Sequence, residues 1–200
     1  MRLPYVRMSE TATALMAATR RCIARDGLAA TTSRSITSEA GANLGAITYH
    51  FGSKDHLVAE SLLEGFRELL APALELLDAD GDPAVRTLEI VRTLLATLDD
   101  RRDDAVAYVQ ALAHAPMAPE LQQGIVALWA DLRRLIAGDM SRLQSEGVVG
   151  GWVDPPAMSG VLLAVANGFL VQGVVDPEGP AVADLATRFA TLLLRSRDLT

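Results

Sequence analysis

Thr31-Thr32-Ser33-Arg34-Ser35-Ile36-Thr37-Ser38-Glu39-Ala40-Gly41-Ala42-Asn43-Leu44-Gly45-Ala46-Ile47-Thr48-Tyr49-His50-Phe51-Gly52-Ser53-Lys54 sets the architecture of this chain. Two short segments, Ser33–Ala40 and Asn43–His50, flank Gly41. Ile36 and Ala40 recur at helical spacing on the first and Ile47 and Phe51 on the second, so each segment predicts a short helix with one inward face. Small residues at Ala40 and Gly41 let the helices cross steeply, the geometry of a helix-turn-helix. Asn43 suits the N-cap of the second helix. The opening turn of that helix, Leu44, Gly45 and Ala46, carries little bulk, so its backbone can press into a duplex groove.

Groups suited to phosphate surround the turn. Ser33 and Arg34 open the first short helix, and Thr48, Tyr49 and His50 bring hydroxyl and imidazole groups to the second. Lys54, the chain's one lysine among eighteen basic residues, falls in the first turn of the next helix, where the macrodipole also favours an anion. Phe51 reads as core and Tyr49 as a DNA-facing ring. His50 stands between two roles, a phosphate donor or a packing residue that donates to a backbone carbonyl.

Helix signals continue on both sides and strand signals hardly occur. Ser9 is placed to cap a helix marked by Leu15, Ala18, Cys22 and Ile23 and closed by Gly27. Ser53 caps a longer helix with Leu57, Leu63, Phe66, Leu70 and Leu74 on its apolar stripe, expected to end near Asp80-Gly81. Asp82-Pro83 starts a helix facing inward through Val85, Leu88, Val91, Leu95 and Leu98. The run Asp99-Asp100-Arg101-Arg102-Asp103-Asp104 is expected as an interhelix loop before Ala105–Ala115. Pro119 opens the longest helix, with Leu121, Ile125, Leu128, Leu132, Leu135 and Ile136 in period. Two more helices follow Asp154-Pro155 and Gly179-Pro180. The expectation is an all-α chain of about nine helices, an N-terminal three-helix helix-turn-helix domain followed by a helical bundle.

Composition agrees. Half of the 200 residues are hydrophobic and 22% are charged, which excludes disorder, and the low aromatic share of 4% leaves Ala, Leu and Val as the apolar mass. The net charge of −7 would argue against nucleic acid if it were spread evenly. It is not: residues 1–60 hold seven bases against five acids, +2, and residues 61–200 hold eleven against twenty, −9. Cys22 is the only cysteine, so no internal disulfide can form and the thiol is expected to pack in the core. The N-terminus lacks a signal-peptide layout, and a cytoplasmic protein is expected.

Pro155 to Val175 runs without a charge and is long enough to span a bilayer. Ser159, Asn167, Gln172 and three glycines interrupt it, however, and acids rather than bases flank it at Asp154 and Asp176. A buried helix in a soluble protein is expected, with no membrane partner.

From about Leu15 to Leu62 the chain resembles the TetR family of bacterial transcriptional repressors. The residues that carry this are Ala17-Ala18, Gly27, Ile36, Ala40-Gly41, Gly45-Ala46-Ile47-Thr48-Tyr49-His50-Phe51 and Ser53-Lys54-Asp55-His56-Leu57. The ending Tyr-His-Phe-x-x-Lys-x-x-Leu is far more specific than a lone helix-turn-helix pattern. The resemblance implies a homodimer with a DNA-binding domain at residues 1–60 and a ligand-binding and dimerisation domain at 61–200. It implies that Ser33, Arg34, Thr48, Tyr49, His50 and Lys54 meet the DNA backbone or nearby bases, and that Leu44, Gly45 and Ala46 face the groove beside Asn43. The sequence departs from the family at Thr48, where an aromatic is more usual, and at Ala46, where threonine is frequent.

The acidic remainder has two tasks, pairing and sensing. Gly160, Ala164 and Gly168 recur every four residues and bare one helix face for close approach, and Ala183, Leu185, Phe189, Leu192 and Leu193 follow on the last helix. These two helices are expected to pair with their copies about a two-fold axis. Tyr108, Gln110, His114, Trp129, Asn167 and Gln172, polar or aromatic on apolar helices, are the candidate lining of a site for a small, mostly apolar effector. No cofactor is implied. The arginines inside Asp99–Asp104 neutralise its carboxylates and no His or Cys completes a ligand set, so no metal is expected. The function expected is a ligand-responsive dimeric regulator, a repressor released from a palindromic double-stranded DNA operator. The alternatives are a helical enzyme, disfavoured because none of the three histidines is paired with a nucleophile or carboxylate at telling spacing, and a protein-binding scaffold with a vestigial helix-turn-helix.

Overall fold

The computed structural model describes residues 8–179 and 182–195, with the side chains of 99, 182, 183 and 193–195 left aside. The expected contacts of Ala183 and Leu193 lie outside the described side chains, as do Pro180 and the chain end. Among the described residues there are nine α-helices and no strand: α1 (Glu10–Asp26), α2 (Ser33–Ala40), α3 (Gly45–Phe51), α4 (Lys54–Glu75), α5 (Pro83–Asp100), α6 (Arg102–His114), α7 (Pro119–Ser145), α8 (Pro155–Val175) and α9 (Val182–Arg195).

Side-chain caps set most of the starts. Ser9 accepts from the Ala12 amide, Ser53 from His56, Asp82 from Ala84 and Val85, and Asp154 from Ala157. Thr32 and Ser35 cap α2 reciprocally. The Asn43 Oδ1 takes the Ala46 amide at 3.0 Å, so Asn43 supplies the cap of α3 from one residue outside the assigned boundary. Gly27 ends α1 at φ 85°, a backbone that residues with a Cβ rarely adopt.

Two cores meet along α4. Leu15, Ile36, Ile47, Phe51 and Leu57 form the core of the N-terminal three helices, where Leu57 comes from α4. One residue later the same helix turns into the second core, which joins Val58, Leu62, Leu63 and Phe66 to Tyr108, Leu121, Ile125, Leu128 and Leu163. Ile23 of α1 belongs to this second core. Cys22 is fully buried.

Four expectations need correction. The α4 helix stops at Glu75, and a 3-10 turn over Leu76–Asp78 follows it, with Pro72 already inside the last helical turn. The 99–104 run is no loop: α5 continues through Asp100, Arg101 alone breaks the backbone at φ −115° and ψ 44°, and α6 starts at Arg102. Val85 is exposed and Leu95 is the buried member of its stripe, because the first turn of α5 turns its covered side to Arg86 and leaves Val85 outside. The α8 helix fully buries only Ser159, Leu163 and Leu170 inside the chain and leaves one uncharged face exposed, so it is half-covered rather than a core helix. By length and composition it is apolar enough to cross a membrane. It packs instead against α7 and α6 on one side, and Arg102 donates to the carbonyls of Gly173 and Val174 at its C-terminal end.

Candidate nucleic-acid interface and effector site

Burying Ile47 and Phe51 fixes the rotation of α3, and that rotation decides what faces outward. Tyr49 is 84% exposed and Leu44 is 52% exposed, with Gly45 and Thr48 beside them. Arg34 is exposed at the start of α2, and Ser33 is half-buried next to it. His50 is half-buried, its ring edge-on to Tyr49 at 4.8 Å and to Phe51 at 6.3 Å. Asn43, Leu44, Gly45, Thr48, Tyr49 and Arg34 therefore share the outer surface of the helix-turn-helix. Ala46 does not: it is buried in the N-terminal core, because it precedes Ile47 on the inward-facing side of a seven-residue helix.

Lys54 is more engaged than a surface cation. Its Nζ donates to the Thr31 carbonyl at 2.9 Å and so fastens the start of α4 to the loop before α2. An ammonium has three donors, and this bond uses one. Glu39 on α2 accepts from Arg21 at 2.9 Å and Arg25 at 3.2 Å on α1, and these bonds hold its carboxyl below the usual range.

The six residues proposed for an effector site divide. Tyr108, Trp129 and Asn167 come together from α6, α7 and α8. The Trp129 indole donates to the Tyr108 oxygen at 2.9 Å, the Tyr108 hydroxyl reaches Asn167 Oδ1 at 3.5 Å, and Asn167 donates to the Leu163 carbonyl at 3.0 Å. The Tyr108 ring lies flat on Phe66 of α4 with centroids 3.6 Å apart. Burial pushes the Tyr108 phenol up to about 12, against a smaller opposing pull from the Trp129 donor.

Gln110 is elsewhere. Its Oε1 accepts from the Leu28 amide at 2.9 Å and its Nε2 donates to the Ile23 carbonyl at 3.2 Å, so one amide on α6 closes the C-terminal end of α1. His114 is exposed and lines a cleft of about 470 Å³ with Leu28, Lys54, Val58, Met117 and Leu121, where the loop after α1 meets the starts of α4 and α7. Gln172 is exposed on α8. An added Cβ at Gly160 or Gly168 would meet nothing within 4 Å, Ala164 and Leu192 are exposed, and Phe189 touches Phe169 edge-on at 6.5 Å. Among the described residues no group of His, Cys, Asp and Glu is arranged to hold a metal ion.

An ion-pair hub is the feature that the sequence alone does not assemble. Arg20 of α1 pairs through Nε with Asp104 at 2.7 Å and through Nη2 with Glu68 of α4 at 3.2 Å. Arg101, at the break between α5 and α6, pairs with the same two carboxylates at 2.7 Å and 2.5 Å. Gly65 makes room for it, since a Cβ there would sit 2.4 Å from Arg20 Cδ. The hub and the Gln110 clamp both tie α1 to the C-terminal helices. Arg20 and Glu68 are 48 residues apart, so no local pattern announces the pair.

Residues 15–61 match the family model of bacterial regulatory proteins, tetR family, and residues 83–195 match that of the BetI-type transcriptional repressor, C-terminal. By sequence the chain matches no curated protein. Among solved structures it is similar in fold to a TetR-family transcriptional regulator from Rhodococcus sp. (18% identity, 94% of this chain and 100% of that one, TM-score 0.81). It is similar to a transcriptional regulator from Saccharomonospora viridis in complex with choline (22% identity, 94% and 97%, TM-score 0.79). A third similar structure is the fatty acid degradation regulator FadR from Bacillus halodurans (15% identity, 94% and 97%, TM-score 0.82).

Proposed function

The chain belongs to the TetR family of bacterial regulatory proteins, and from that premise we propose that it is a dimeric repressor released from a palindromic operator by a small, mostly apolar effector. It is a DNA-binding transcriptional regulator and not an enzyme. Residues 1–60 form the DNA-binding unit and residues 61–200 the ligand-binding and dimerisation unit, working in the cytoplasm where the DNA is.

One observation carries the DNA-binding reading: α3 buries its own core residues and still presents Tyr49 and Leu44, uncovered, beside Thr48 and Arg34. A large exposed ring beside Leu44, on a short helix whose other face is packed, is free to meet an outside partner together with the polar groups around it. A groove with a phosphate rim supplies stacking and apolar contact for Tyr49 and Leu44 and an anion for Arg34, Ser33 and Lys54.

Effector binding near Tyr108, Trp129 and Asn167 acts on Phe66, which stacks on Tyr108 and belongs to the helix that starts in the DNA-binding unit. A ligand that prefers one setting of this contact changes the spacing of the two heads. The choline in the Saccharomonospora viridis structure supports a small-molecule site in a body of this fold.

Gel shift of the purified protein against fragments of its own genome tests the reading. The expected result is a complex on an inverted repeat whose half-sites lie about 34–36 Å apart or a multiple of that. Arg34→Ala should weaken binding at every sequence and lower the salt slope by about one for each phosphate that the side chain neutralises. Absence of any shifted fragment overturns the proposal.

A further inference from the structure

Two arginines converge on the turn that ends α4, and they are treated differently. Arg142 of α7 donates to the Leu77 carbonyl at 2.8 Å, is ion-paired with Asp139, and also feels the charge of Asp78. Arg86, in the first turn of α5, is 6% exposed and donates through Nη1 to the Ala79 carbonyl at 3.3 Å. Its Nε and Nη2 make no hydrogen bond, and among the described residues no carboxylate pairs with it.

Guanidinium groups in proteins keep their proton, so a buried one carries its full charge into the interior. An interior charge with a neutral carbonyl as its only partner is unfavourable until a counter-ion joins it. The geometry says which counter-ion. Nε and Nη2 lie along one edge of the planar group, with their N–H bonds parallel and on the side away from Nη1. That edge is the fork that a carboxylate meets with both oxygens. A sphere of charge such as chloride uses one donor well, and a cation is repelled.

We propose that the Nε/Nη2 edge of Arg86 receives the carboxylate of an amphipathic organic acid. The inference rests on the reading that the C-terminal unit binds a small effector, and it gives that effector an anionic head at the turn between α4 and α5. The apolar remainder of the molecule lies among the leucine-rich helices, and the acid group is its point of discrimination. Neutral analogues of equal length leave the guanidinium uncompensated and bind less well.

Isothermal calorimetry on the full chain without DNA provides the test. The probes are butyrate, octanoate and dodecanoate, with octanol, octyl phosphate and choline as neutral, tetrahedral-anion and cationic controls. At least one carboxylate should bind the wild type, and Arg86→Met and Arg86→Lys should each weaken it at least tenfold, the lysine because it keeps the charge and loses the fork. Any binding of octanol or choline should be unchanged by either substitution. Without ligand, Arg86→Met should melt no lower than the wild type, because it deletes an uncompensated charge. The proposal is overturned if no carboxylate binds, if octyl phosphate binds in place of every carboxylate, or if Arg86→Met keeps wild-type carboxylate affinity. A lower melting temperature of Arg86→Met with unchanged carboxylate affinity assigns Arg86 to the Ala79 bond alone, which also overturns it. A carboxylate that binds through Arg86 but leaves an operator complex intact contradicts release by effector while leaving the fork standing.

Discussion

The N-terminal three helices and the C-terminal six obey the same rule of burying apolar faces, and they depart from it on different scales. In the head the departure is two side chains: Tyr49 and Leu44 stand out from a helix whose Ile47 and Phe51 are packed. In the body it is one face of a helix, for α8 fully buries three side chains of its 21 residues, and Leu192 of α9 is exposed too. A pair of exposed side chains beside polar groups fits a groove read by a few contacts. An uncovered helix face with glycine and alanine every fourth residue fits a second helix of the same kind. The head's core is closed within one chain, and the body's outer face is the one proposed to meet another copy.

Gly168→Glu strikes at this difference most directly. Within the chain the substitution meets open space, so the fold should hold. On the proposed paired face it places a charge between two apolar helices, and the expected product is a monomer. Two linked heads gain on the order of 100-fold or more over one, and operator affinity should fall by about that factor. Sedimentation and circular dichroism check the two halves of the claim. A dimer of unchanged affinity removes α8 from the interface.

A smaller effect separates contacts inside the head from those between head and body. Arg20→Ala strips Asp104 and Glu68 of one partner each and leaves Arg101 to serve both. The Arg20 and Asp104 side chains are mostly buried, but Glu68 is partly in water, so the cost should be about 2 kcal/mol, below that of a fully buried pair. Arg21→Ala touches only the head, where Glu39 keeps Arg25 and water screens the pair, and should cost clearly less than Arg20→Ala. Urea titration of both variants decides this. If the two cost the same, the hub adds nothing beyond a surface pair, and head and body are held together by α4, the Gln110 clamp and the packing of Ile23.

Head and body also differ in what their sequences reveal. The head is punctuated locally: Ser9, Asn43, Ser53 and Gly27 each mark a boundary within four residues of the group they satisfy, and the helix limits follow. Ala46 reads as groove-facing from its small size, yet a helix of seven residues has room for only one inward face, and its neighbour Ile47 draws it onto that face. In the body the boundaries set by Asp82, Pro119 and Asp154 are equally local and equally legible. The contacts are not. Gln110 has the look of a ligand-binding amide and instead closes a helix more than eighty residues earlier in the chain, and Arg20 finds Glu68 and Asp104 only once α1, α4 and α6 are packed. Nothing in the composition of either segment encodes such a meeting. The 99–104 run reads as a loop because its charges suggest solvation, yet Arg101 and Asp104 are members of the hub.

The body's interior can be probed without DNA. Tyr108 is buried between Phe66 and Trp129, and its phenol is pushed up to about 12 by loss of water. In the unfolded chain it ionises near the ordinary value of about 10. Between those two values the folded state holds a proton that the unfolded state has released, so stability falls as pH rises across that window. The contribution is fully present below about pH 10, is reduced by about 1 kcal/mol at pH 11, and is lost as pH climbs through the folded value. Tyr108→Phe keeps the ring stack and removes the titrating group, so its denaturation midpoint should lose the Tyr108 share of the alkaline dependence, shown by comparison with the wild type from about pH 9 to pH 11. A variant whose alkaline slope equals the wild type's means that water reaches the phenol, and the interior joining α4, α6 and α7 is then open enough to exchange solvent before any effector arrives.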